Sequence, residues 1–272
     1  MLKASELEVL TLNLNGLRAA VRKGLLAWVE QRSPDILCFQ ETRCQASDRT
    51  EALLPKGYHC FFADAQKKGY SGTALLCKTP PDEVQTGWGL LGVDDEGRFV
   101  AARFGKLWVA SLYVPSGSAG EHRQAAKDIF LEHLGVRLKA WGESALPWLV
   151  CCDMNIAHKP IDLKNWRTNQ ENSGFLPHER AFMDRVLGEW EMVDAFRLCN
   201  AEGGQYTWWS NRGRAWENNV GWRIDYHLCN RHLAAHVQSA EIFKAQRFSD
   251  HAPLLLRYAF DTKLAQPSGE KV

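Results

Sequence analysis

The stretch "WLVCCDMNIAH", residues 148–158, decides how the rest of the chain is read. Its apolar body, Trp148 to Cys152, suits a buried strand, and it runs straight into Asp153 and Asn155, which a two-residue side-chain period places on one face. The pattern recurs. In "VLTLNLNG" (residues 9–16) Leu10, Leu12 and Leu14 share one face, so Thr11, Asn13 and Asn15 share the other. Gly16 then marks a turn, and an Asx turn that satisfies local backbone groups is the ordinary alternative to a site. "DILCFQET" (residues 35–42) carries an apolar core into Gln40 and Glu41. An acid beside a buried strand needs a partner, here either a salt bridge to Arg43 or Arg18 or a metal ion.

Three further stretches place polar groups beside strands. "RFSDHAPLLL" (residues 247–256) sets Asp250 and His251 just before an apolar run, where a carboxylate either orients a histidine for phosphate chemistry or caps a turn. "GWRIDYHLCN" (residues 221–230) holds Asp225 inside a strand-like run, so a cationic or imidazole partner is expected for it. "SLYVPSGS" (residues 111–118) ends a strand on Tyr113, which is otherwise a core tyrosine with its hydroxyl at the rim. Each signal is weak alone, but sheets gather strand ends into one crevice. Carboxylates and amides with one histidine and no suitable cysteine ligand favour a hard, oxygen-ligated cation such as Mg2+. That inventory suits phosphoryl transfer or phosphodiester hydrolysis better than acyl transfer, since no G-x-S-x-G nucleophile elbow is present.

Composition sets the frame. The chain has 272 residues and a net charge of +1, so it can bury a sizeable core, and any polyanion must be met by locally concentrated basic groups. The eight cysteines form no C-x-x-C pair, and Cys38, Cys77, Cys151, Cys152 and Cys229 lie in apolar runs, as buried reduced thiols do. Nothing resembles a signal peptide or a membrane span. A soluble cytoplasmic protein, nucleoid-associated when engaged on DNA, is expected. Strand signals cover residues 9–15, 36–40, 72–77, 99–104, 107–114, 148–152, 224–229, 237–243 and 253–258, with helical patterns at 23–31, 121–140 and 179–187. Hairpins mixed with crossovers, for example across Gly105 and Lys106, predict mixed sheets covered by helices. No linker or repeat divides the chain, so one domain over residues 1–260 is expected, followed by a flexible tail at 261–272.

In order, "LNLNGLRA", "DILCFQETRC", "GYSGTALLCK", "LYVPSGS", "CCDMNIAH", "NSGFLPHERAFMD", "VDAFR", "YTWWSNR", "NNVGWRIDYHL" and "SDHAPL" closely resemble the exonuclease III and apurinic/apyrimidinic endonuclease family of the endonuclease/exonuclease/phosphatase superfamily. "NNVGWRIDY" in particular is similar to the DNA-repair branch rather than the lipid phosphatases. The resemblance implies a deoxyribonuclease I-like, four-layer α/β sandwich, with two mixed sheets face to face, helices outside and the site at one end. It implies Glu41 as principal Mg2+ ligand, with Asn13, Asn15 and Asp250 near the metal or its waters, and Mn2+ as a substitute ion. Asp153 would orient and deprotonate water, Asn155 would hold that carboxylate and the phosphate, and His251, paired with Asp225, would bond the scissile phosphate. Tyr113 resembles a phosphate-contacting tyrosine.

Asn169 and Asn172 resemble amides that contact the target phosphate and sugar; an ordinary polar loop is their alternative. Trp208, Trp222 and Ile224 look like the walls of a pocket for an extruded baseless sugar, whereas Trp209 is as well read as core. Arg212 resembles the position from which the family inserts a side chain into the duplex, which implies a wedge or a phosphate contact for it. Two positions depart from some relatives: Ser116 stands where an amide is found, and Trp208 is bulkier than a Phe and would narrow the pocket. His158 reads as structural. The motifs begin at Val9, so no regulatory N-terminal extension is expected. The implied activity is incision 5′ to abasic sites in duplex DNA together with trimming of normal or blocked 3′ ends, by a monomer and without a membrane partner. The alternatives are a predominantly 3′–5′ exonuclease or end-trimming enzyme, a lipid or inositol phosphate phosphodiesterase, and a DNA-binding module without activity.

Overall fold

The computed structural model of the protein describes residues 6–91 and 93–261; residues 262–272, most of the expected tail, lie outside the described residues. The architecture follows from the alternation in two central strands. In β1 (Leu7–Asn13) Val9 belongs to the core between two sheets and Leu10 and Leu12 to an outer core. In β8 (Trp148–Asp153) Leu149 and Cys151 point inward, and Val150 and Cys152 outward. Every residue of β8 is buried, as expected for a strand covered on both faces.

The first sheet contains β1 together with β2 (Ile36–Gln40), β3 (His59–Ala63), β4 (Thr73–Cys77), β13 (Val237–Ile242) and β14 (Leu254–Tyr258), in the order β13-β14-β1-β2-β4-β3. The second contains β5 (Glu83–Thr86), β6 (Phe99–Phe104), β7 (Leu107–Tyr113), β8, β9 (Met192–Asp194) and β12 (Asp225–Asn230), in the order β5-β6-β7-β8-β12-β9. β10 (Trp208–Trp209) and β11 (Gly221–Trp222) form a short ribbon beside them. Each six-stranded sheet has one parallel pair, β1 with β2 and β7 with β8, among antiparallel neighbours. Helices Leu17–Arg22 and Leu25–Arg32 cover the first sheet, and helices Glu121–Gly142 and Pro177–Leu187 the second. The result is the expected four-layer α/β sandwich of two mixed sheets. Near one end Gln40 crosses the seam, its Nε2 donating to Ser111 Oγ at 3.0 Å and to Thr11 Oγ1 at 3.1 Å.

The differences from the sequence reading have physical reasons. β3, β5 and β9, three of the four edge strands, carry no strong strand signal, and β5 is exposed along its whole length. The pattern at 23–31 is helix Leu25–Arg32, because Lys23 closes helix Leu17–Arg22 and Gly24 turns the chain with φ 92°. The other two helices run longer, Glu121–Gly142 and Pro177–Leu187. β1 stops at Asn13, because Asn15 takes φ 46°. All eight cysteines are free thiols, and among the described residues no helix is long and apolar enough to cross a membrane.

Candidate active site

The two central strands end in the same way from opposite sheets. Asn13 Oδ1 accepts from Asn15 N at 2.9 Å, and Asp153 Oδ1 accepts from Asn155 N at 2.8 Å. Asn15 and Asn155 then sit in the left-handed region, at φ 46° and 51°, where Asn is tolerated better than most residues. Between them Leu14 and Met154 are buried in the two outer cores. Asn13 and Asp153, each on its sheet's inner face, meet across the seam, with Asn13 Nδ2 donating to Asp153 Oδ2 at 2.8 Å. The Asx turn expected as an alternative at Asn13 and Asn15 is present, and it forms part of the site.

The same Nδ2 donates to Glu41 Oε1 at 2.9 Å. Glu41 follows β2 with φ 50°, and its other oxygen is paired with Arg43 rather than Arg18. Asp250 is held on both oxygens: Asn15 Nδ2 donates to Oδ1 at 2.9 Å, and the indole Nε1 of Trp208 donates to Oδ2 at 3.1 Å. Burial favours its neutral form, but His251 and these two hydrogen bonds hold its carboxyl below the usual range. Asp225 lies directly across from Asp153 on the neighbouring strand. Its Oδ2 stands 2.9 Å from His251 Nδ1, and His251 Nε2 stands 4.0 Å from Asp153 Oδ2.

These placements set the charges. Burial and the charge of Asp225 push the carboxyl of Asp153 up to about 7, against the opposing pull of His251, Asn13 and Asn155. Burial disfavours the imidazolium of His251, but Asp225, then Asp153 and Asp250, lift it to about 10. Burial and the charge of Glu41 keep the Tyr113 hydroxyl well above its ordinary value, so it stays a proton donor. The cluster thus offers a base that ionises near neutrality, an imidazolium and a neutral phenol, a set suited to moving a proton beside an anionic substrate.

A cleft of about 640 Å³ opens onto these groups. Of the residues singled out in the sequence, Asn15, Glu41, Tyr113, Asp153, Asn155, Asn169, Asn172, Trp208, Arg212, Trp222, Ile224, Asp250 and His251 all line it. Asn13 and Asp225 are buried immediately behind, bonded to lining residues. Asn169 and Asn172 bond each other at 2.8 Å. Trp208 faces Trp222 edge-on at 6.3 Å between centroids, whereas Trp209 is core, packed on Trp216. His158 pairs with Asp184 away from the cleft. Arg43, Ser118, Ser173 and Gly174 also line the cleft and were not singled out as site residues; no periodic signal marks them. Thr207 was missed as well: its Oγ1 accepts from both Ile224 N and Asp225 N at 3.1 Å.

Two groups of side chains bear on a metal. Asp153, Asp225 and His251 offer three ligand atoms within 4.8 Å of one another. In that trio the imidazole Nδ1 is already bonded to Asp225 at 2.9 Å. Glu41 and Asp250, linked to one another through Asn13 and Asn15, add carboxylate oxygens of the kind a hard divalent cation takes.

Residues 10–251 match the endonuclease/exonuclease/phosphatase family, and the chain belongs to it, as a hydrolase of phosphodiester bonds. The chain is 37% identical over 262 residues to an exodeoxyribonuclease of Bacillus subtilis, spanning 92% of this chain and 98% of that one. It is 36% identical over 263 residues to the DNA repair nuclease APEX1 of Danio rerio, spanning 93% and 83%. Its structure resembles that of an AP endonuclease from Archaeoglobus fulgidus, with a TM-score of 0.85 at 28% identity over 93% of this chain and 99% of the other. The resemblance read from the ordered motifs is borne out.

Proposed function

We propose that this chain is a Mg2+-dependent DNA-repair nuclease that cuts duplex DNA 5′ to abasic sites, leaving a 3′-hydroxyl and a 5′ deoxyribose phosphate, and that also trims blocked or normal 3′ ends. The observation that carries the reading is the continuity of the cleft: the Asp153, His251 and Glu41 groups open directly onto Trp208, Trp222 and Ile224. A phosphodiester can lie on the polar side while a sugar without a base enters the apolar side. A lipid or inositol phosphate enzyme gives this aromatic wall no role. Two basic side chains line the cleft, Arg43, paired with Glu41, and Arg212.

Asp153 holds and deprotonates the attacking water, positioned by Asn13 and by the Asn155 backbone. His251, kept protonated by Asp225, donates to a non-bridging phosphate oxygen, and Tyr113 donates a second hydrogen bond. Glu41 and Asp250, with Asn13 and Asn15 beside them, would hold a Mg2+, which when bound would supply charge neutralisation near the leaving 3′-oxygen. The enzyme acts as a monomer in the cytoplasm, on the nucleoid when engaged.

A second reading, chiefly 3′-end trimming with weak abasic incision, is favoured by the indole bond to Asp250, which fixes a bulky wall inside the sugar niche. Comparing kcat/KM on an internal abasic site, a recessed 3′ end and a 3′-phosphate, with Mg2+ and with EDTA, decides between them. Equal failure on all three substrates rejects a repair nuclease, and turnover that persists in EDTA rejects the metal.

A further inference from the structure

Lys127 and Glu179 are both fully buried, with Nζ 2.5 Å from Oε1. They join the two helices, Glu121–Gly142 and Pro177–Leu187, that cover the second sheet. A buried ion pair is a weak source of stability, because desolvation offsets much of the attraction and apolar replacements are often as stable. The other bonds of this pair lead to the cleft. Lys127 Nζ also donates to the carbonyl of Asn155 at 2.9 Å. Glu179 Oε2 accepts from Gly174 N at 2.6 Å and from Leu176 N at 3.0 Å.

The two segments held in this way touch each other and the niche wall. Ala157 N donates to Gly174 O at 2.8 Å. Gly174 has φ +93°, and a Cβ there would stand 3.0 Å from Asn155 O and 3.2 Å from the Trp222 ring. Asn155 is itself in the left-handed region, with its N–H committed to Asp153 and its Nδ2 donating to Val114 O at 2.9 Å. Lys127 completes that set by holding the remaining backbone group.

We propose that Lys127 and Glu179 are positioning residues: their buried pair clamps the Asp153–Asn155 turn against the 169–174 wall, so that the water-activating carboxylate and the sugar niche keep a fixed spacing. This rests on the roles proposed above for Asp153 and Asn155. A pair that serves only packing would affect stability. One that sets catalytic geometry affects kcat, since a displacement of about 1 Å at reacting groups costs on the order of 100-fold in rate.

The test is the full chain carrying Lys127→Met with Glu179→Gln, which removes both charges and leaves neither unpaired. If near-UV circular dichroism shows that variant unfolded, Lys127→Met alone takes its place, since Glu179 then keeps its bonds from Gly174 N, Leu176 N and Gln124 Nε2. Hydrogen exchange of the Asn155 and Ala157 amides, neither bonded to Lys127 or Glu179, should accelerate about tenfold or more, with β8 amides unchanged. On abasic duplex with Mg2+, kcat should fall about 10- to 100-fold, with the Kd for that duplex in EDTA within about threefold of wild type. Wild-type exchange at both amides, or wild-type kcat in a folded variant, overturns the proposal. Should the wild-type chain leave abasic DNA uncut, the nuclease reading falls, and the exchange rates still decide whether the clamp exists.

Discussion

Replacing Asp153 by Asn should silence turnover and, in EDTA, make the protein more stable in a pH-dependent way. The folded carboxyl stands at about 7, against about 3.9 for an unfolded Asp, and each pH unit is worth about 1.4 kcal/mol. Holding the ionised group in the fold therefore costs about 4 kcal/mol above pH 7. The sign follows from proton binding: between about pH 4 and 7 the folded chain binds more protons than the unfolded one, so this group lowers stability as pH rises through that window. Asn removes the charge, but it turns one acceptor into a donor facing either Asn155 N or Asn13 Nδ2, at a cost of about 1–3 kcal/mol. At pH 8 relief of the buried charge wins, with a net gain of about 2 kcal/mol and a Tm rise of about 5 °C for a chain of this size. At pH 5 the relief has shrunk to about 1–2 kcal/mol and the gain disappears. Scanning calorimetry in EDTA at the two pH values checks this. A variant less stable than wild type at pH 8, or a difference that ignores pH, would refute the electrostatic account of Asp153.

Trp208→Phe keeps an aromatic wall but removes the N–H that holds Asp250; the Mg2+ concentration for half-maximal incision should rise about three- to tenfold, the effect of about 1 kcal/mol, and an unchanged requirement means the indole is only a wall. Gly174→Ala puts a Cβ against Asn155 O and Trp222 at φ +93°, so a loss of about 2 kcal/mol is expected in urea unfolding; wild-type stability there would show that the loop relaxes freely. Asp162→Asn breaks a buried network in which Asp162 pairs with both Arg223 and Arg197, and should cost about 3–5 kcal/mol at pH 7. Burial favours the neutral form of Asp162, yet the two arginines hold its carboxyl low, so the stability it supplies is present above the unfolded pKa of about 3.9 and is lost as pH falls through the lower folded value. A difference between variant and wild type that persists undiminished at pH 2 would contradict that linkage.

What the sequence made legible, and what it hid, follows from which residues are covered on both sides. β1, β2 and β8 lie at sheet centres, so their runs are mostly apolar, and the polar residues at their ends stand out as Asn13, Glu41 and Asp153. The edge strands β5 and β9 have no such contrast and were not read. Glu41 had been left open between a salt bridge and a metal site; the fold gives it Arg43 on one oxygen and Asn13 on the other, a meeting across two sheets that no local pattern encodes. The clamp is a different case, because its signal was present. Lys127 lies three, four and seven residues before Phe130, Leu131 and Leu134, and Glu179 lies three, four and seven before Phe182, Met183 and Val186. In both helices a charged residue begins the apolar stripe at helical spacing. A single charge there reads as a long side chain reaching solvent. Two opposite charges, each heading a stripe that packs on the same sheet, instead require a common buried partner, and the place where those stripes converge is the back of the Asp153–Asn155 turn.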